Sequence, residues 1–264
     1  MNEFTIEDFF AHDCSRNIMY RNGNRTENLI PLYHGSPNKV CTPQYGFGED
    51  KHDYGRGFYT TLDYELACEW AVCTSAGKNG YVHKYSLDTV GLTILNFNAK
   101  YDVLGWLATL AKHRSPSTSK KYKENEKKLI KKYYDPEIEK YDIIVGYRAD
   151  DSFFSFAKQA IRGEVDISLL KDIMTQGKLG YQVFLQSEKA FQHIQEVDKC
   201  KEGYYREVDY NKFSQAYNSR DKKARDYVAN LIDSDENTLE DTIEKYIYID
   251  SEEWIKCVHT MKIM

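Results

Sequence analysis

The sequence predicts an α+β fold, on three observations. Tyr81–Leu87 and Tyr181–Gln186 alternate in polarity residue by residue, the period of half-buried strands. Asp142-Ile-Ile-Val-Gly146 is a short unbroken apolar run, as in a strand covered on both faces. Ahead of these strands, apolar residues return at helical spacing, as in Leu62, Leu66, Trp70 and Cys73.

Taken in order, residues 1–28 read as an N-terminal extension. Ile6, Phe9 and Phe10 share one helical stripe, and a polar stretch with an Asn22-Gly23 turn follows. The main domain spans 29–195 and opens with the apolar run Ile30–Tyr33. Pro37–His52 is loop-like, with Pro37, Pro43, Gly46 and Gly48 in quick succession. Asp63 is placed to cap the Leu62–Cys73 helix, and Asp102 to cap a helix over Val103–Lys112. Thr93–Phe97 reads as a strand. The cluster Arg114–Ser119 breaks the chain before a lysine-rich helix, Lys120–Lys132, in which Glu124 is spaced to pair with Lys128. Helices are expected over Phe153–Arg162, capped by Asp151 or Ser152, over Leu169–Thr175, and from Ser187 to Ile194. Residues 196–264 read as a helical appendage, with Glu207–Ile232 helix-like and an acidic break at Asp233–Asn237.

At 264 residues and 41% hydrophobic, the chain is long enough to bury a core. A net charge of −5 gives no general attraction to nucleic acid or an anionic membrane, and the Lys120–Lys132 run reads as a solvated helix face. The six cysteines are scattered, without CxxC or paired metal spacing, as reduced thiols in a cytoplasm would be. No apolar run reaches membrane-spanning length and the N-terminus lacks a signal core. The expectation is a cytoplasmic protein with no membrane contact and no metal site.

Two segments carry chemistry: Tyr33-His34-Gly35-Ser36, where an apolar run ends, and Asp53-Tyr54-Gly55-Arg56-Gly57-Phe58-Tyr59-Thr60-Thr61. In the second, two glycines read as a bend that delivers the Phe58-Tyr59 pair to a fixed place. The ordered pair resembles the first two signatures of the ADP-ribosyltransferase superfamily, in its histidine-tyrosine branch: H-G-[ST], then G-x-G-[FIV]-Y. The resemblance covers roughly residues 29–195 and is to uncharacterised bacterial domains of that superfamily. Its third signature is a strand opening with the catalytic residue, usually glutamate. Gln182, in Gly180-Tyr181-Gln182-Val183-Phe184, occupies that place.

The resemblance implies a split, strongly bent β-core of two small sheets, flanking helices and an NAD cleft between the sheets. It implies an NAD-dependent mono-ADP-ribosyltransferase with a His34, Tyr59, Gln182 triad, plausible as a bacterial toxin or effector. Its partners would be NAD as co-substrate, an acceptor that is protein or nucleic acid, and a neutralising antitoxin or immunity protein. An NAD glycohydrolase and a catalytically weak NAD- or ADP-ribose-binding interaction protein are the alternatives.

Cleaving the nicotinamide–ribose bond passes through an oxocarbenium-like state, as glycoside cleavage does. Tyr59 offers an aromatic face to nicotinamide, His34 a ring nitrogen to the ribose hydroxyls, Gly35 backbone groups to the carboxamide, and Ser36 a hydroxyl. Gly57 and Phe58 shape the same site, and Arg56 either reaches the pyrophosphate or is an exposed loop charge. Negative charge near the reacting carbon is the missing part, because Gln182 is neutral. Asp150, Asp151 and Glu188 are the candidates to compensate. Asp151 and Glu188 sit where helix starts favour acids, and Asp150 is least needed for that.

Overall fold

The computed structural model describes residues 20–21, 24–25, 29–73, 75–114, 120–149, 151–162, 180–197 and 205–234. The helices expected near Ile6–Phe10 and over Leu169–Thr175, the acidic break after Ser234, and Asp150 lie outside these residues. Two short strands, β1 (Tyr20–Arg21) and β2 (Asn24–Arg25), pair antiparallel on either side of Asn22-Gly23.

The chain then runs β3 (Leu29–Ser36), β4 (Phe58–Thr60), α1 (Tyr64–Cys73), β5 (Gly80–Asp88), β6 (Ile94–Asn96), α2 (Phe97–Lys100), α3 (Val103–Arg114) and α4 (Lys120–Tyr133). After a 3-10 turn at Pro136–Lys140 come β7 (Ile143–Tyr147), α5 (Asp151–Arg162), β8 (Tyr181–Leu185), α6 (Glu188–His193), β9 (Ile194–Glu196), β10 (Tyr205–Val208) and α7 (Tyr210–Ser234). The caps read at Asp63 and Asp102 are in place, and Ser187 caps the helix it was read to start. Asp63 Oδ1 accepts the Leu66 N–H at 3.1 Å, Asp102 Oδ1 accepts the Leu104 and Gly105 N–H groups at 3.0 Å, and Ser187 Oγ accepts the Ala190 N–H at 3.0 Å.

Two small sheets form, as expected. In the first, β5 pairs antiparallel with β3 along one edge, and with β10 and β9 end to end along the other. The second has the order β4-β8-β7-β6, with β6 and β7 parallel and the other pairs antiparallel. Tyr33 and Thr61 exchange both backbone hydrogen bonds, at 2.8 and 2.9 Å, and so stitch β3 to the end of β4. This seam joins the sheets and brings the two sequence motifs side by side.

Alternation along the strands sorts the core into three parts. Ile30, Leu32, Tyr85 and Leu87 meet Phe58, Ile143, Val145, Val183 and Leu185 and fill the space between the sheets. Tyr54, Ile144 and Phe184 pack with Leu104, Trp106 and Leu107 of α3, Leu129 of α4 and Phe156 of α5. Ala67, Cys68, Ala71 and Val72 of α1 close on Val82, Val208 and Phe213.

Three local expectations are corrected. Tyr205–Val208 is a strand, because β5 offers it an open edge, so the segment beyond 196 is not wholly helical where it is described. The Thr93–Phe97 strand is shorter, since Asn96 Oδ1 accepts the Ala99 N–H at 3.2 Å and starts α2. Glu124 takes the Lys127 ammonium at 2.9 Å, one residue nearer than the Lys128 expected. Among the described residues no helix is long and apolar enough to cross a membrane.

Candidate functional site

His34 shares the β3 face of Ile30 and Leu32, near the end of the strand and one residue from the seam. Its Nδ1 lies 2.7 Å from the Tyr59 carbonyl oxygen. A carbonyl only accepts, so Nδ1 carries the proton and Nε2 of the neutral ring is a bare acceptor. Phe58 packs against the imidazole, with ring centroids 4.7 Å apart. The residue as a whole is partly exposed, yet its ring is walled by protein. That burial outweighs the Tyr59 hydrogen bond and pulls its pKa down to about 4. At neutral pH the site therefore presents an uncharged imidazole.

Gly35 points the other way, at α1. A Cβ built there would press on the Ala67 carbonyl oxygen and lie 2.5 Å from the Ala71 nitrogen and 2.8 Å from Trp70 Cβ. Close approach of the helix accounts for the missing side chain. Ser36 Oγ is buried and accepts the Asn38 N–H at 3.1 Å, turning the chain at the end of β3.

Tyr59 is held from its own loop. Its hydroxyl donates to the Gly55 carbonyl at 2.7 Å and accepts the Tyr54 N–H at 3.0 Å. Gly55, at φ +93°, makes the bend that brings these groups round. A Cβ on Gly57 would meet the Leu185 carbonyl and the Phe184 ring, so β4 needs a glycine there to lie on β8. The half-buried Tyr59 ring rests on Phe184 with centroids 4.6 Å apart, and His52 lies obliquely at 5.3 Å. Phe58 faces the core between the sheets. Arg56 Nε donates to Asp50 Oδ1 at 2.6 Å and the guanidinium stays exposed.

Gln182 sits opposite Gly146 on the central strands and is 3% exposed. Its Nε2 donates to Asp53 Oδ2 at 3.1 Å and to the Tyr147 carbonyl at 3.0 Å. Asp53, also buried, gathers further donors: the Ala149 N–H at 2.7 Å on Oδ2 and Arg114 Nη1 at 3.0 Å on Oδ1. The Arg114 guanidinium lies 3.7 Å from the centroid of the Phe154 ring. Burial raises the Asp53 pKa, opposed by the Ala149 N–H and by the charge of Arg114. Tyr54 completes the ring of contacts by donating to the Tyr147 carbonyl at 2.9 Å.

The fold thus brings His34 and the Tyr59 backbone into direct contact. It connects Gln182 to Tyr59 through Phe184 on one side and through Asp53-Tyr54 on the other. Asp150 lies outside the described residues, and Asp151 opens α5. Glu188, in the first turn of α6, lines a cavity of about 330 Å³ with Gly55, Arg56, His113 and Glu139; His34, Tyr59 and Gln182 do not line it. Asp53 and Arg114 carry no role in the sequence reading. Asp53 begins the signature segment, so its signal was adjacency; Arg114 has none, since only folding carries the end of α3 to Asp53. Among the described residues no three His, Cys, Asp or Glu side chains group as metal ligands.

Comparison with curated proteins gives no match, and neither does comparison with solved structures. Residues 30–195 match the family described as "Protein of unknown function (DUF3990)". The matched stretch is more than half of the chain and holds both opening motifs, Asp53, Arg114 and Gln182, and on that ground the chain belongs to the DUF3990 family.

Proposed function

We propose that this protein is an NAD⁺-dependent mono-ADP-ribosyltransferase acting in a cytoplasm, as a toxin or effector would. The observation that carries the reading is the contact between the two motifs: His34 Nδ1 and the Tyr59 carbonyl at 2.7 Å, on strands sewn together at Tyr33 and Thr61. It leaves a neutral Nε2 to accept a ribose hydroxyl, and the Tyr59 ring, resting on Phe184, offers a face for the nicotinamide. In the reaction the bond between ribose C1′ and the pyridinium nitrogen breaks, and nicotinamide leaves as a neutral ring with the bonding pair. A nucleophile of a protein or nucleic-acid acceptor forms the new bond to C1′ and releases its proton to solvent. The uncharged His34 adds no positive charge next to the carbon that becomes cationic.

The test is calorimetry with NAD⁺ together with nicotinamide release, in the presence of a cell lysate and labelled NAD⁺. His34→Ala and Tyr59→Ala should each weaken NAD⁺ binding by about 1 kcal/mol or more. Gln182→Ala should lower turnover more than binding, as loss of a transition-state contact does. Nicotinamide release without a labelled macromolecule would make the protein a glycohydrolase, with water as the acceptor. Binding without release would make it a receptor for NAD⁺ or ADP-ribose. If folded His34→Ala and Tyr59→Ala variants bind NAD⁺ like the parent, the site is elsewhere.

A further inference from the structure

We infer that Asp53 is a positioning residue that makes Gln182 serve in place of an acid, by fixing its amide with the carbonyl oxygen toward the ligand. The inference rests on the reading of the site as an NAD⁺ site. The hydrogen bonds that Gln182 makes to Asp53 and to Tyr147 are both donated by its nitrogen, to a carboxylate and to a backbone carbonyl. Neither partner has a hydrogen to give, so the amide has one orientation; flipped, its oxygen would face two acceptors. With both amide hydrogens engaged, Oε1 keeps its lone pairs for a donor such as a ribose hydroxyl. The Asp53 carboxylate also polarises the amide through a charge-assisted hydrogen bond, which makes Oε1 a stronger acceptor.

Arg114 does not cancel this effect at Gln182. It binds Oδ1, whereas Gln182 binds Oδ2, so the carboxylate stands between the amide and the cation. Arg114 instead holds the carboxylate in place, together with the Ala149 N–H. The charge that the neutral Gln182 lacks is thus supplied one hydrogen bond behind it.

The same geometry forbids a simple exchange. Gln182→Glu alone sets two carboxylates against each other at hydrogen-bond distance, beside the Tyr147 carbonyl. Gln182→Glu combined with Asp53→Asn lets the amide at 53 donate to the carboxylate at 182 and moves the charge forward, while the Ala149 N–H and the Tyr147 carbonyl lose their partners.

The experiment measures kcat and KM for nicotinamide release, with NAD⁺ affinity by calorimetry and a melting curve for each variant. Asp53→Asn should lower kcat about tenfold or more and change NAD⁺ affinity by less than about threefold. The double variant should turn over faster than Asp53→Asn alone. If Asp53→Asn does not fold, the double variant decides alone: active supports the inference, folded but inactive overturns it. Unchanged kcat in folded Asp53→Asn overturns it while the NAD⁺ reading stands. A parent chain that neither binds nor cleaves NAD⁺ overturns both.

Discussion

Gly35→Ala separates two reasons for the glycine after His34: approach of a ligand and approach of α1. The backbone at Gly35 does not have positive φ, so alanine is conformationally allowed and any cost is steric. The new methyl would sit on the Ala67 carbonyl and 2.5 Å from the Ala71 nitrogen, the acceptor and donor of one helical hydrogen bond. It lies roughly 1 Å inside ordinary van der Waals contact, which is about 3.5–4.0 Å between carbon atoms. A side chain at its end turns aside; a helix backbone does not, and Ala67 and Ala71 are fully buried. Overpacking usually costs about 1–3 kcal/mol, and this case belongs at the upper end, about 3 kcal/mol. For a chain of this size that lowers Tm by roughly 6–12 °C. Urea unfolding followed by tryptophan fluorescence is a direct assay, since Trp70 lies against the site, with calorimetry of NAD⁺ in parallel. A variant within about 0.5 kcal/mol of the parent that no longer binds NAD⁺ would refute the packing account and return Gly35 to the ligand.

Tyr59→Phe keeps the ring and removes the hydroxyl, leaving the Tyr54 N–H and the Gly55 carbonyl without their partner. Stability should fall by about 1–3 kcal/mol in denaturant unfolding while NAD⁺ affinity is kept; stability kept with affinity lost would place the hydroxyl on the ligand. His34 gives a pH signature. Its folded pKa of about 4 is below the free value of 6.5, so between these pH values the unfolded chain binds more protons. The His34 contribution is complete above pH 6.5 and is lost as pH falls toward 4. The stability difference between the parent and His34→Asn should therefore drift across that window, and a parallel pair of curves would show that His34 does not titrate as described.

Local order was legible in the sequence. Strands β5, β7 and β8 follow from alternation and from an unbroken apolar run, and the caps at Asp63 and Asp102 follow from the chemistry of free N–H groups. The two motifs were legible as an ordered pair, His34-Gly35-Ser36 and then Gly55-Arg56-Gly57-Phe58-Tyr59, although each alone is common. Tertiary structure decided what those residues do. Gly35 looks the same in sequence whether a ligand or a helix lies over it; α1 packed on β3 supplies the reason. The strand at Tyr205–Val208 answers to an open edge of β5, which no local pattern announces. Gln182 read as a neutral residue where charge was wanted, and the sequence looked for compensation nearby, at Asp150, Asp151 and Glu188. The carboxylate that reaches it is Asp53, 129 residues away, held by Arg114 from the end of α3. Buried polar groups must find partners wherever the fold provides them, and that pairing is made by sheet register and helix packing rather than by spacing along the chain.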